Sequence, residues 1–222
     1  MSTLLRIDAS IRLEGSVSRA LADSAEAAWL AEHPDGVVVR RDLGQHPLPA
    51  TTWPTLARAQ VLGQEPATEA ERAALTEARA TAAELSAEIR NADALLLAVP
   101  LYNYGIAQHV KTWIDLLMID RELLGDSPLA GRPAIFALAR GGGYAPGTPK
   151  HGWDHATPYL ERVFGDVFGM TIRTAAAELT LAPVTPGMEE LVDASKVSET
   201  EAHAEAGTHG TTVARELIGR AA

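Results

Sequence analysis

Residues 94–105 read Ala94-Leu95-Leu96-Leu97-Ala98-Val99-Pro100-Leu101-Tyr102-Asn103-Tyr104-Gly105. The opening apolar run leaves no polar position to face water, so it predicts a strand covered on both faces, as in a parallel sheet packed between helices. A loop of polar and aromatic residues follows directly. Open α/β sheets bind their ligands outside the carboxyl ends of the strands. The pattern recurs at Pro133-Ala134-Ile135-Phe136-Ala137-Leu138, a second buried strand, closed by Ala139-Arg140-Gly141-Gly142-Gly143.

Working outward, Leu4–Asp8, Val37–Arg41 and Thr171–Leu179 read as further strands. Between them lie helical patterns at 16–32 (with Leu21, Ala25, Ala28 and Trp29 on one face), 68–90, 106–119, 154–168 and 187–218. The helix at 68 opens with Thr68-Glu69-Ala70-Glu71, which has capping-box spacing, and a break is expected near Gly207 in the last helix. Leu43–Pro66 holds Pro47, Pro49, Pro54 and Pro66 around Trp53, and is expected to be an irregular excursion with a functional or interfacial role. Five strands separated by helices predict an α/β three-layer sandwich on a five-stranded parallel sheet, with 1–222 forming one domain.

Composition narrows the function. The chain has 222 residues, 46% apolar, enough for a substantial core and too hydrophobic for a disordered chain. Its net charge of −10 argues against a nucleic-acid partner, which needs a basic footprint. The most basic short stretch, Arg40-Arg41, is expected to be a pair of solvated strand-end charges. No apolar run reaches the ~18 residues of a membrane span, and the start MSTLLRIDAS lacks the features of a signal peptide. Cysteine is absent, which removes disulfides, thiolate metal sites and cysteine nucleophiles. A cytoplasmic setting is expected.

Three loops at one sheet edge carry the candidate chemistry. After the first strand comes Ser10-Ile11-Arg12-Leu13-Glu14-Gly15-Ser16-Val17-Ser18. Hydroxyls at a helix start, with its free N–H groups and positive dipole end, make an anion site; capping of the helix by a serine is the plainer alternative. The loop is neither G-x-G-x-x-G nor G-x-x-x-x-G-K-[ST], which weakens dinucleotide and P-loop readings. After the third strand, Tyr102, Asn103 and Tyr104 offer π-faces and an amide to a flat heteroaromatic ligand. After the fourth, the glycines allow close backbone approach and present N–H groups. Together the loops describe a site for a mononucleotide with a flat ring.

Other features carry less. His151, Asp154 and His155 are too few for a metal centre. His203 and His209 read as a solvated helix end. Ser16 with a distant His and Asp lacks the G-x-S-x-G elbow of a hydrolase. Trp29 and Trp113 are expected in the core, Trp53 and Trp153 at a pocket or interface.

At Ser10, Ser16-Val17-Ser18, Pro100-Leu101-Tyr102-Asn103-Tyr104, Arg140-Gly141-Gly142 and Thr157-Pro158-Tyr159-Leu160, the chain resembles the flavodoxin-like, FMN-dependent NAD(P)H:quinone oxidoreductases and azoreductases of bacteria. The likeness runs over nearly the whole chain. It implies a flavodoxin-like fold, tightly bound FMN, NAD(P)H as donor, a flat aromatic acceptor, and a homodimer with active sites where subunits meet. The implied cofactor-binding set is Ser10, Ser16, Val17, Ser18, Leu101, Tyr102, Asn103, Tyr104, Ala139, Arg140, Gly141 and Gly142. The serines would hold the phosphate, and the two later loops would embrace the ring. The flavin carries the chemistry, donor and acceptor binding in turn; Tyr102, Tyr144 and His151 are the nearest acid–base candidates.

Three departures stand out. Ala139 replaces the serine frequent before R-G-G, Val17 replaces a common polar residue, and the stretch from Ile119 to Ala130 is shortened and lacks the family's aromatics. An electron carrier of the flavodoxin type, a tailoring reductase for one metabolite, and a non-catalytic nucleotide-binding module are the alternatives.

Overall fold

The computed structural model describes residues 2–221. Five strands, β1 (Thr3–Asp8), β2 (Val37–Asp42), β3 (Ala94–Pro100), β4 (Pro133–Ala139) and β5 (Thr171–Ala177), form one sheet in the order β2-β1-β3-β4-β5. Every pairing is parallel. The order reverses between β1 and β3, so the crevice for a ligand opens above their carboxyl ends.

β3 and β4 are buried along their full length, as their apolar sequences demand. Alternation splits their side chains between two cores. Leu95, Leu97, Val99 and Phe136 pack against α3 (Glu69–Asn91) and α4 (Gln108–Leu117), with Trp113 and Phe164 at the centre. Leu96, Ala98, Ile135 and Ala137 face α1 (Val17–Glu32) and α6 (Val192–Ala221) across Trp29. Trp29 and Trp113 are core residues, as expected.

Several boundaries differ from the sequence reading. The excursion at 43–66 contains a helix, α2 (Thr52–Gln60), which buries Leu56. Pro54 lies in its first turn, where the missing N–H would have no intrahelical partner anyway. α6 runs unbroken through Gly207, and its inner face takes His203 and His209. His203 Nδ1 lies 2.8 Å from Ser24 Oγ and His209 Nε2 lies 3.2 Å from the Thr174 carbonyl, so neither marks a solvated end. Arg40 and Arg41 are engaged as well: Arg40 pairs with Glu26, and Arg41 with Glu84 and Glu88. The expected helix at 154–168 is one short α-helical turn, α5 (Thr157–Leu160), followed by wider π-helical turns over Glu161–Val167. The capping box at Thr68 is present in full: the Thr68 hydroxyl accepts from the Glu71 N–H, and the Glu71 carboxylate accepts from the Thr68 N–H.

Candidate functional site

The loop after β1 is shaped by a charge network beneath it. Arg6 and Asp8, alternate residues of β1, are both buried and pair at 2.9 Å. Arg6 also reaches Asp23 and Glu26 on α1. Arg19, on the first turns of α1, forks onto Asp42 at 2.7 and 2.8 Å and donates to the carbonyls of Ser10 and Arg12. Burial works to raise the Asp42 pKa. The Arg19 fork and the N–H groups of Gln45 and Gly44 outweigh it, so the carboxyl titrates below its ordinary value. Gly44 completes the support: a Cβ there would fall 2.1 Å from the Ser10 carbonyl oxygen.

This frame sets the serines. Ser16 is the N-cap residue of α1, yet its side chain makes no capping bond. Among the described residues its one hydrogen-bond contact is the Ser18 hydroxyl at 3.5 Å, and both serines are buried. The first N–H groups of a helix have no partner inside it, and no acidic residue stands in this first turn. Two hydroxyls and free N–H groups therefore converge on one point at a positive helix end. Ser10, also buried, sits beside them, its hydroxyl accepting from the Arg12 N–H at 3.2 Å.

The loop after β3 turns tightly. Tyr102 and Gly105 exchange two backbone hydrogen bonds, and the residues between, Asn103 and Tyr104, have φ of 48° and 67°. Such left-handed backbone is uncommon for side chains other than glycine and concentrates at functional sites. The Asn103 side chain is exposed. The Tyr102 hydroxyl accepts from the Ile11 N–H at 3.3 Å, tying this loop to the first.

The glycine loop is held through its carbonyls, that of Gly143 by the Thr148 hydroxyl at 2.9 Å. The N–H groups of Thr180, Leu181 and Leu179, beyond β5, donate to the carbonyls of Arg140, Gly141 and Gly142 at 3.1, 3.3 and 3.1 Å. No protein acceptor meets the N–H groups of Gly141 or Gly142 among the described residues. The loop thus presents donors with their carbonyls tied off behind. Arg140 points its guanidinium away to Asp154 and Glu178, each at 3.0 Å, and to the Thr157 hydroxyl at 2.9 Å. Glu178 in turn accepts from the Tyr144 N–H.

An open cleft of about 140 Å³ joins these parts. Ser10, Ser16, Val17, Ser18, Leu101, Tyr102, Ala139 and Gly141, all anticipated from sequence, line it. Arg12, Pro100, Thr180 and Leu181 line it too and were not anticipated as ligand contacts. The signal for the last two was their place after β5, at the same sheet edge. Asn103, Tyr104, Arg140 and Gly142 border the cleft in sequence without lining it, and neither Tyr144 nor His151 does. Tyr144 is pushed above its ordinary pKa, by burial first and then by Tyr104, Asp154 and Glu178. In the shortened stretch after Ile119, Leu123 and Leu129 are buried in the core.

Among the described residues no cluster of three His, Asp or Glu side chains could hold a metal ion, and no helix is long and apolar enough to cross a membrane.

A family model described as a flavodoxin-like fold matches residues 2–197. An FMN-dependent NADH:quinone oxidoreductase of Frankia casuarinae is 39% identical over 211 residues, covering 93% of this chain and 97% of the relative. Its counterpart in Streptomyces avermitilis is 38% identical, covering 99% of each. Among solved structures, an azoreductase from Bacillus anthracis superposes with a TM-score of 0.76 at 25% identity, covering 96% of this chain and 100% of that one. With its sheet order and three-loop cleft, this chain belongs to the flavodoxin-like family, among the FMN-dependent NADH:quinone oxidoreductases and azoreductases.

Proposed function

We propose that this protein is an FMN-dependent oxidoreductase that carries two electrons from NADH or NADPH to quinones and azo compounds. The observation that carries the reading is one cleft with two complementary ends. Buried, non-capping Ser16 and Ser18 fit a terminal phosphate, and the free N–H groups of the glycine loop fit the electron-rich edge of a flat ring. Bound there, FMN would supply the reversible two-electron chemistry that no side chain of this chain can. In the relatives from Frankia and Streptomyces the same cofactor is named.

The chain's own residues do the holding. Ser10, Ser16, Ser18 and the Val17 N–H would take the phosphate, and Arg12, in no ion pair among the described residues, would add a positive charge beside them. Leu101, Tyr102 and Ala139 would wall the ring, Asn103 and Tyr104 would flank it from the turn beside the cleft, and the N–H groups of Gly141 and Gly142 would be its donors. Arg140 acts through its ion pairs, holding those glycines in place. Burial, and then Tyr104 and the nearby carboxylates, raise the Tyr144 pKa still further from neutral pH, which disfavours it as a base. Water can protonate the product, and neither Tyr102 nor His151 is required to.

The three loops border a single shared cleft, which supports donor and acceptor using it in turn. We read the whole chain, 1–222, as one domain, working in the cytoplasm as a homodimer. The exposed Trp53, Val61 and Leu62 support a subunit contact. The test is anaerobic. The purified yellow protein should bleach on adding NADH and recover its colour with 1,4-naphthoquinone, and initial-rate plots should be parallel. Intersecting plots would overturn the alternation, and a flavin that NADH cannot reduce would favour the electron carrier.

A further inference from the structure

We propose that Lys150, with Tyr104 and Trp153, forms a recognition site for flat aromatic acceptors that bear an anionic group. The inference rests on the oxidoreductase reading and names the acceptor class. Tyr104 and Trp153 meet edge to face, with ring centroids 5.4 Å apart, and remain 41% and 51% exposed. The Lys150 ammonium lies 5.7 Å from the Tyr104 ring centroid. It also stands over the glycine loop: a Cβ built on Gly142 would be 3.4 Å from Lys150 Nζ.

The charges around it leave this ammonium free. Arg140, the cation of the glycine loop itself, is committed to Asp154 and Glu178. Lys150 has no carboxylate in ion-pair range among the described residues. In a chain of net charge −10, a cation unpaired beside open N–H groups is a local positive end. Two exposed rings give stacking faces, and an ammonium gives a point charge for a sulfonate or carboxylate. Its closeness to Gly142 suits an anionic group attached directly to the stacked ring. The diphosphate of a nicotinamide dinucleotide lies a ribose away from its ring.

The test compares 1,4-naphthoquinone with 1,4-naphthoquinone-2-sulfonate in the FMN-loaded protein. Lys150→Gln should raise KM for the sulfonate about fivefold, the scale of one partly exposed ion pair. KM for the neutral quinone and for NADH should stay within about twofold, and Lys150→Arg should retain the preference. A second readout is calorimetric titration with naphthalene-2-sulfonate, which cannot be reduced; its affinity should fall by a similar factor in Lys150→Gln. A rise shared by both quinones, a change confined to NADH, or unaltered naphthalene-2-sulfonate binding would overturn the proposal. If the unmutated protein reduces neither quinone, the oxidoreductase reading fails, and the titration alone decides Lys150.

Discussion

Ser16 holds the N-cap position of α1 and does not cap. Its hydroxyl and that of Ser18 are buried, near each other, and otherwise without partners among the described residues, a costly arrangement unless a ligand satisfies them. Ser16→Ala with Ser18→Ala should therefore weaken FMN binding by about 1–3 kcal/mol, the scale of hydrogen bonds to a charged group, while leaving the apo-protein as stable as before. Fluorescence titration of apo-protein with FMN reads the first effect and thermal melting the second. The residue types at this site were largely legible: serines at a helix start and glycines at a strand end carry their physics in their identity. Side-chain direction was not legible. Arg140 reads from sequence as a ligand contact, but two carboxylates distant in the chain, Asp154 and Glu178, turn it away. Arg6 and Asp8 sit in a strand whose neighbours are apolar, and their buried pairing depends on α1 and β2 folding around them.

At the level of elements, the α1–α6 contact depends on one glycine. A Cβ on Gly210 would lie 2.1 Å from the Ala25 carbonyl oxygen, whereas one on Gly207 would meet nothing within 4 Å. Both lie inside α6. Gly210→Ala should push the helices apart and cost about 1–3 kcal/mol, more than the ~1 kcal/mol gained from helix propensity. Gly207→Ala keeps only the propensity gain and should stabilise by up to about 1 kcal/mol. Chemical denaturation of both variants checks the contrast. Sequence reading misplaced the role: Gly207 was expected to break the helix, yet α6 is held straight by packing on α1 and β5, which outweighs a single unfavourable propensity. α2 was hidden for the opposite reason. Its prolines look like breakers, but Pro54 falls within the first turn and Pro47, Pro49 and Pro66 fall outside. The five strands were readable because each is a short, dense apolar or β-branched run.

Across the whole molecule, the two cores are closed and the exposed apolar side chains concentrate away from them. Val61 and Leu62, at the end of α2, are 69% and 64% exposed. With Trp53 on the same helix they give a surface better covered than solvated. Light scattering at micromolar concentration should return the mass of two chains. Val61→Asp with Leu62→Asp should shift it toward one and weaken quinone reduction if the subunits share the site. What lies within a subunit was within reach of sequence periodicity. A contact between two copies of the chain would leave no period to read.

The ties behind the glycine loop bear on how such a site diversifies. They run from main-chain N–H groups of residues 179–181 to the carbonyls of Arg140, Gly141 and Gly142, so any residue but proline at 180 or 181 preserves these three; the Thr180 hydroxyl adds a fourth, to the Arg140 carbonyl at 3.2 Å, which serine at 180 would keep. Yet the side chains of Thr180 and Leu181 line the cleft, and Leu181 leans over Gly141. Mutation there can remodel the wall while the cofactor cradle keeps its shape. Lineages descending from this scaffold can explore new acceptors at these two positions at low risk, and a directed-evolution library would begin by randomising them together.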